Sequence, residues 1–173
     1  KSFIQHHIIT PILGGRSADP ESYMFGRTDF NGELIEAEHH LMEDPASTTL
    51  TKDRVFFGEQ LKRTVVNEKT RLHKKTKDGL TGQTFSRITI SVNDDPDKMR
   101  VLPLITPDIL DKMMVFHVES CPLPMPTETL AERAALRAAI AEELPFYIHW
   151  LMNEWQMPEE IRSTRYGVSH YHD

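Results

Sequence analysis

Lys1-Ser2 stands directly ahead of Phe3, Ile4, His7 and Ile8, an apolar stripe at helical spacing. A lysine followed by a hydroxyl residue at the mouth of a helix is how the phosphate-binding loop G-x-x-x-x-G-K-[ST] ends, with its glycines then expected upstream of residue 1. A second group of residues could do electrostatic work. Between positions 62 and 77 lie Lys62, Arg63, Lys69, Arg71, Lys74, Lys75 and Lys77 against only Glu68, a local charge of +6 in a chain whose net charge is -6. Cations so concentrated suit phosphate backbones, and they equally suit a solvated face.

Several elements must position these residues. Pro11 and Gly14-Gly15 close the first helix, and Tyr23-Met24-Phe25 reads as a short strand stopped by Gly26. Leu34 to Glu38 reads as a strand with acids at its end. Leu50 to Val66 has helical spacing, and Val65 to Lys77, closed by Asp78-Gly79, favours an extended hairpin or loop over a helix. Phe85 to Asn93 is the best strand pattern in the chain. Thr106-Pro107-Asp108 reads as a turn or short helix, and Met113 to Val118 as a strand. Thr129 and Glu132 form a capping box that opens an alanine-rich helix to Leu144, where Pro145 is expected to end it and start another.

Composition sets the outer limits. The 173 residues, 39% hydrophobic and 27% charged, suffice for one domain with a core, and no apolar run approaches the roughly 18 residues of a membrane span. A soluble, cytoplasmic protein with no membrane partner is expected. Cys121 is alone, so it forms no internal disulfide. His6-His7, His39-His40, His170 and His172 make no H-x-x-x-H or Cys/His ligand pattern, which argues against zinc.

The order Lys1-Ser2, Phe30-Asn31, Glu36-Ala37-Glu38, a basic segment, a strand ending in Ser91-Val92-Asn93, then Asp111-Lys112 resembles the ATPase domain of phage- and plasmid-type primase-helicases. These are similar to superfamily 3 helicases within the AAA+ group. Leu144-Pro145-Phe146, Trp150-Leu151, Trp155 and Arg165-Tyr166-Gly167-Val168 resemble that domain's tail. The resemblance implies an α/β P-loop NTPase (AAA+-like) core sheet lacking its first strand and most of the phosphate loop, over residues 1–120, with a helical C-terminal part over 121–173. It implies ATP and Mg²⁺ as cofactors, single-stranded DNA as partner, and a homo-oligomeric ring that couples hydrolysis to movement.

The same resemblance implies roles. Lys1 and Ser2 would bind the β/γ-phosphates and Mg²⁺. Glu36 and Glu38, on one face of a strand, would hold the metal's water shell and orient the attacking water, with Glu36 beside Ser2 at the Mg²⁺. Ala37 interrupts the usual pattern of two adjacent acids, so their roles stay open, as does a reading of both as ordinary surface acids. Asn93 resembles the sensor amide near the γ-phosphate, although an asparagine before Asp94-Asp95-Pro96 is also an ordinary turn residue. Among Arg87, Arg100 and Lys112, the region of Lys112 is favoured for reaching a neighbour's nucleotide. Lys69, Arg71, His73, Lys74 and Lys75 take the place of the DNA-gripping hairpin. The competing classes are a nucleic-acid-binding or assembly subunit without ATPase activity, and another P-loop enzyme with no DNA role.

Two tests follow. The strand ending near Glu38 should lie beside the strand ending at Asn93, with both carboxyl ends on the edge where Lys1 sits; Asn93 and both glutamates at opposite ends of the sheet would defeat the ATPase reading. If Lys74 and Lys75 grip phosphates, replacing both with alanine should flatten the salt dependence of single-strand binding by roughly one to two units and abolish unwinding, as a salt series and an unwinding assay would show.

Overall fold

The structure is a computed structural model that describes residues 2–45, 50–67, 69–73, 80–83, 85–165 and 167–172. The chain opens with α1 (Ser2–Ile4), a π-helical turn (Gln5–Ile9) and α2 (Thr10–Ile12), one continuous rod. The wide turn has a local cause. Pro11 lacks an N–H, and its ring would strike the carbonyl four residues back in a regular α-helix. Thr10 N–H instead reaches Gln5 O, five residues back, which opens the turn ahead of the proline.

Next come β1 (Ser17–Ala18), α3 (Glu21–Met24), a 3-10 turn (Leu34–Glu36) and β2 (His39–Glu43). The strands expected at Tyr23–Phe25 and Leu34–Glu38 are therefore both replaced by helical turns. Glu21 lies in the first turn of α3, directly after Pro20, and Gly26 at φ 69° ends it. The helix α4 (Thr51–Val66) forms as the sequence pattern predicts; a hairpin of β3 (Lys69–Leu72) and β4 (Leu80–Gln83) also forms, but Val65 and Val66, expected to begin it, end α4, and its second strand lies beyond Gly79. The strand β5 (Arg87–Ser91) forms at the centre of the expected Phe85–Asn93 strand.

Strands β1, β2 and β5 make a parallel sheet in the order β1-β2-β5, with His39 opposite Arg87 and Glu43 opposite Ser91. The strand β2 is covered on both faces. Met42 packs with Phe57 and Leu61 of α4 and with Met24 and Phe25, the core of the molecule. His39 points the other way, toward the N-terminal rod.

A buried hydrogen-bond chain fixes that rod. His39 is fully buried; its Nδ1 lies 2.6 Å from Thr10 Oγ1 and its Nε2 2.6 Å from Thr89 Oγ1. Because Thr89 donates its hydroxyl proton to Gln5 Oε1 at 2.9 Å, it must accept from His39 Nε2–H, and Nδ1 in turn accepts from Thr10. The rod thus runs antiparallel to β2. The eight steps of helix from Ser2 to Thr10 rise about 12 Å, and the four steps from His39 to Glu43 rise about 13 Å, so Ser2 is brought level with Glu43.

Beyond β5 lie α5 (Pro96–Met99) and α6 (Pro107–Leu110), then α7 (Leu130–Asn153), a 3-10 turn (Glu159–Ile161), β6 (Arg162–Ser163) and β7 (Gly167–Val168). The capping box is present: Glu132 N–H donates to Thr129 Oγ1 at 3.2 Å and Thr129 N–H to Glu132 Oε2 at 2.8 Å. Two expectations are corrected. Pro145 does not end the helix, which runs through it to Asn153; the Ala, Leu, Glu and Arg ahead of it are strong helix formers, and turns on both sides hold the proline in line. Met113 to Val118 is not a strand, because only Val115 finds a bridge partner, His172.

Burial lowers the pKa of His39 below its ordinary 6.5, with the neighbouring His40 and His6 charges adding to it, and burial likewise lowers His40. Below pH 6.5 the unfolded chain therefore binds more protons than the folded one. Stability should be complete above pH 6.5 and fall as pH drops toward 5.5. Melting temperatures across that window should show the fall, and His39→Gln should reduce its steepness; a flat profile in the wild type would contradict the neutral, buried imidazole.

Candidate functional site

The carboxyl ends of β2 and β5 are where an open parallel sheet presents a ligand edge. Glu43 closes β2 there. His6 Nε2–H donates to Glu43 Oε2 at 2.9 Å, and the hydroxyl of Ser2, together with His6, holds this carboxyl below the ordinary carboxylate range. Gln5 Nε2 reaches toward Ser91 Oγ at 3.5 Å, next to this group. Asp44 follows with φ 42°, a conformation that non-glycine residues adopt sparingly, and its N–H donates to Ser91 O at 2.8 Å. Asn93 lies two residues beyond Ser91 and is exposed. The edge therefore gathers Ser2, His6, Glu43, Asp44, Ser91 and Asn93 within reach of two adjacent strand ends.

Glu36 and Glu38 are elsewhere. Glu36 sits in the 3-10 turn, and Glu38 precedes the first residue of β2, so both lie at the amino end of the sheet and Asn93 at the carboxyl end. The ATPase reading that rested on Glu36 and Glu38 with Asn93 therefore fails its test, and so does a shared metal position for Ser2 and Glu36. Glu38 instead has a structural tie. Arg16 Nε donates to both of its carboxylate oxygens at 3.0 Å, which lowers the Glu38 pKa and draws the turn after α2 onto the start of β2. Gly14, at φ 122°, leaves the space; a Cβ there would lie 3.0 Å from Glu38 Cδ.

Lys112 is also differently placed from the expected cation acting on a neighbour. Its Nζ donates to Asp111 Oδ1 and to the Asp108 carbonyl, both at 2.6 Å, and its side chain is 6% exposed. Arg165 takes the other Asp111 oxygen at 2.5 Å. Lys112 is thus drawn into the C-terminal end of α6.

Of the expected DNA contacts, Lys69, Arg71 and His73 alternate along β3 and lead out of it, which puts them on one side of the strand. Lys74 and Lys75 lie outside the described residues, as does Lys1. Asn31, 4% exposed, clamps this strand: Nδ2 donates to Arg71 O at 2.9 Å and Oδ1 accepts from His73 N–H at 2.8 Å. His40 Nε2–H donates to Leu34 O at 2.6 Å and so fixes the same turn to β2.

The residues that sequence reasoning missed are Glu43 and Asp44. The signal was present: two adjacent acids directly after His39-His40-Leu41-Met42, a run buried throughout. Among the described residues no group of three or more His, Cys, Asp or Glu could hold a metal ion by itself, and no helix is long and apolar enough to cross a membrane. Comparison with protein-family models, curated proteins and solved structures gave no match.

Asn31→Ala should remove both side-chain bonds to β3. At about 0.5–1.5 kcal/mol each, the loss should be roughly 1–3 kcal/mol by urea denaturation, with faster amide exchange at His73. Unchanged exchange there would mean that the hairpin is held by other contacts.

Proposed function

We propose that this chain belongs to an ATP-hydrolysing helicase of phage- or plasmid-type replication, with the nucleotide at the carboxyl edge of β2 and β5 and single-stranded DNA on the basic hairpin. The observation that carries the proposal is the Glu43 carboxylate, ionised and held by Ser2 and His6 at the end of one strand, one strand away from Asn93. A helix start that meets a strand's acid in this way is the arrangement a phosphate-binding loop requires. The acids are Glu43 and Asp44, in place of the pair at the other end of the sheet.

The Ser2 hydroxyl and Glu43 carboxylate are oxygen donors of the kind Mg²⁺ takes, and at this edge the ion would offset phosphate charge. Ser2 and Glu43 would hold it through direct or water-mediated contacts. Asp44, turned out of the strand by its positive φ, is suited to orient the attacking water as a base or acceptor. Asn93 can donate to a phosphate oxygen with its amide N–H while its carbonyl accepts from that water. Lys1 would complete the phosphate contacts. The basic hairpin needs no base recognition, because phosphate contacts carry no sequence information, which suits movement over any sequence. A ring of copies, with sites shared between subunits, belongs to the same proposal.

The reading of an assembly subunit without ATPase activity draws on one observation, the exposure of Phe146, Tyr147, Trp150 and Met152 on α7. Turnover separates the two. In the full-length protein, Glu43→Gln should lower kcat for ATP by at least about a hundredfold, the scale of losing a positioned electrostatic group. Its melting temperature should change little. Glu38→Gln should do the reverse, lowering stability with kcat nearly intact. Wild-type turnover in Glu43→Gln would overturn the proposal.

A further inference from the structure

At the end of the sheet away from Glu43 lies a cavity of about 330 Å³, bounded by α3, the 3-10 turn, the last turns of α4 and the hairpin strand β3. Its charge is one-sided. Arg63, Lys69 and Arg71 line it and form no salt bridge among the described residues, whereas Lys62, next in sequence, is consumed by Glu59 and Asp108 at 2.5 and 2.6 Å. Opposing them are Asp29 and the carboxyl end of α4, which brings about half a negative charge. Three cations outweigh these, so the cavity attracts an anion.

Its walls say which kind. Tyr23, Leu34 and Ile35 offer apolar surface, and Gln60 and Asn67 offer side-chain amides that both donate and accept. A bare phosphate would leave most of this surface unused. Cavities that take small organic ligands start at roughly 300 Å³, so this one matches a single nucleotide. Asn31 prepares it, since the clamp on Arg71 and His73 fixes the strand that carries two of the cations before any ligand arrives.

The geometry points to a nucleotide-unit site in this cavity, with the phosphate held by Arg63, Lys69 and Arg71 and the base lying against the Tyr23 and Ile35 wall near the Gln60 and Asn67 amides. The unit can come from a single strand or from a free nucleotide, and the chemistry of recognition is the same. The site does not depend on ATP hydrolysis at the opposite edge, and it extends the contact surface from the hairpin into α4, where Arg63 is its distinguishing member.

The test uses the full-length protein with two probes, thymidine 5′-monophosphate by calorimetry and fluorescein-labelled dT12 by anisotropy. Arg63→Ala should weaken the monophosphate at least tenfold, and Arg71→Ala should do the same. Arg63→Lys should recover part of the loss. If the unit belongs to a strand, dT12 weakens in parallel, its salt slope drops by about 0.7 for the lost phosphate contact, and the monophosphate competes with it. If the unit is a free nucleotide, the monophosphate binds without displacing dT12, whose affinity is unchanged in Arg63→Ala. Glu43→Gln should leave both affinities within twofold, so a failed ATPase proposal and a failed cavity are read separately. Arg63 is exposed, so unchanged melting will certify the fold of its variants. Monophosphate affinity that is absent in the wild type, or equal in the wild type and both alanine variants, overturns the inference.

Discussion

Everything at the carboxyl edge depends on one buried imidazole. His39 bridges Thr10 of the N-terminal rod and Thr89 of β5, and Thr89 passes the chain on to Gln5. Each polar atom in the line has a partner, which is what allows them to sit in the interior at all, since an unmade bond there costs about 1–3 kcal/mol. The direction of the protons is fixed along the line. Tied at Gln5 and Thr10, the rod holds Ser2 and His6 beside Glu43, so packing of the rod on the sheet assembles this group.

The same imidazole explains why the site was hard to find in the sequence. A strand covered on both faces normally reads as a run of branched apolar residues. Here two of the five residues of β2 are histidines, which a hydropathy reading counts as polar, so the apolar signal fell instead on Leu34-Ile35 and the acids after it. Those residues make a 3-10 turn, because Leu34 N–H bonds back to Asn31 O at 3.1 Å and the Leu34 carbonyl is taken by His40. Both facts are tertiary. The adjacent acids Glu43-Asp44 matched the expected pattern better than Glu36-Ala37-Glu38, and only the identity of the strand before them hid this.

The elements that were legible rest on local physics or on strong pairing. Arg87–Ser91 alternates β-branched and polar residues, and its partner β2 covers its whole length. The basic hairpin was legible only in outline, since Val65 and Val66, the β-branched residues expected to start it, end α4 instead, and the clamp that holds it left no signal. The resemblance singled out Phe30-Asn31 in the motif order, but nothing in the sequence marks Asn31 as a clamp on the hairpin, because its partners, Arg71 and His73, lie forty and forty-two residues away. Side-chain amides that bond distant backbone leave no periodic trace.

The long helix α7 is the opposite case. Of its 24 residues Leu136 alone is buried, while Leu130, Phe146 and Met152 are each at least three-quarters exposed. Tertiary packing therefore contributes little to it, and a helix without packing needs more than about 12–15 residues of good formers and a firm start. The sequence from Thr129 to Leu144 supplies both, with the capping box satisfying free amides at the entry and alanine, leucine and glutamate through the body. That is why its beginning could be read residue by residue, and why its end could not: a proline costs about 3 kcal/mol in a helix interior, yet the turns on either side can carry that cost when no competing structure offers Phe146 and Trp150 a better place. The elements that stand on their own residues declare themselves in the sequence, and the strand that bears the candidate site, which stands on everyone else's, does not.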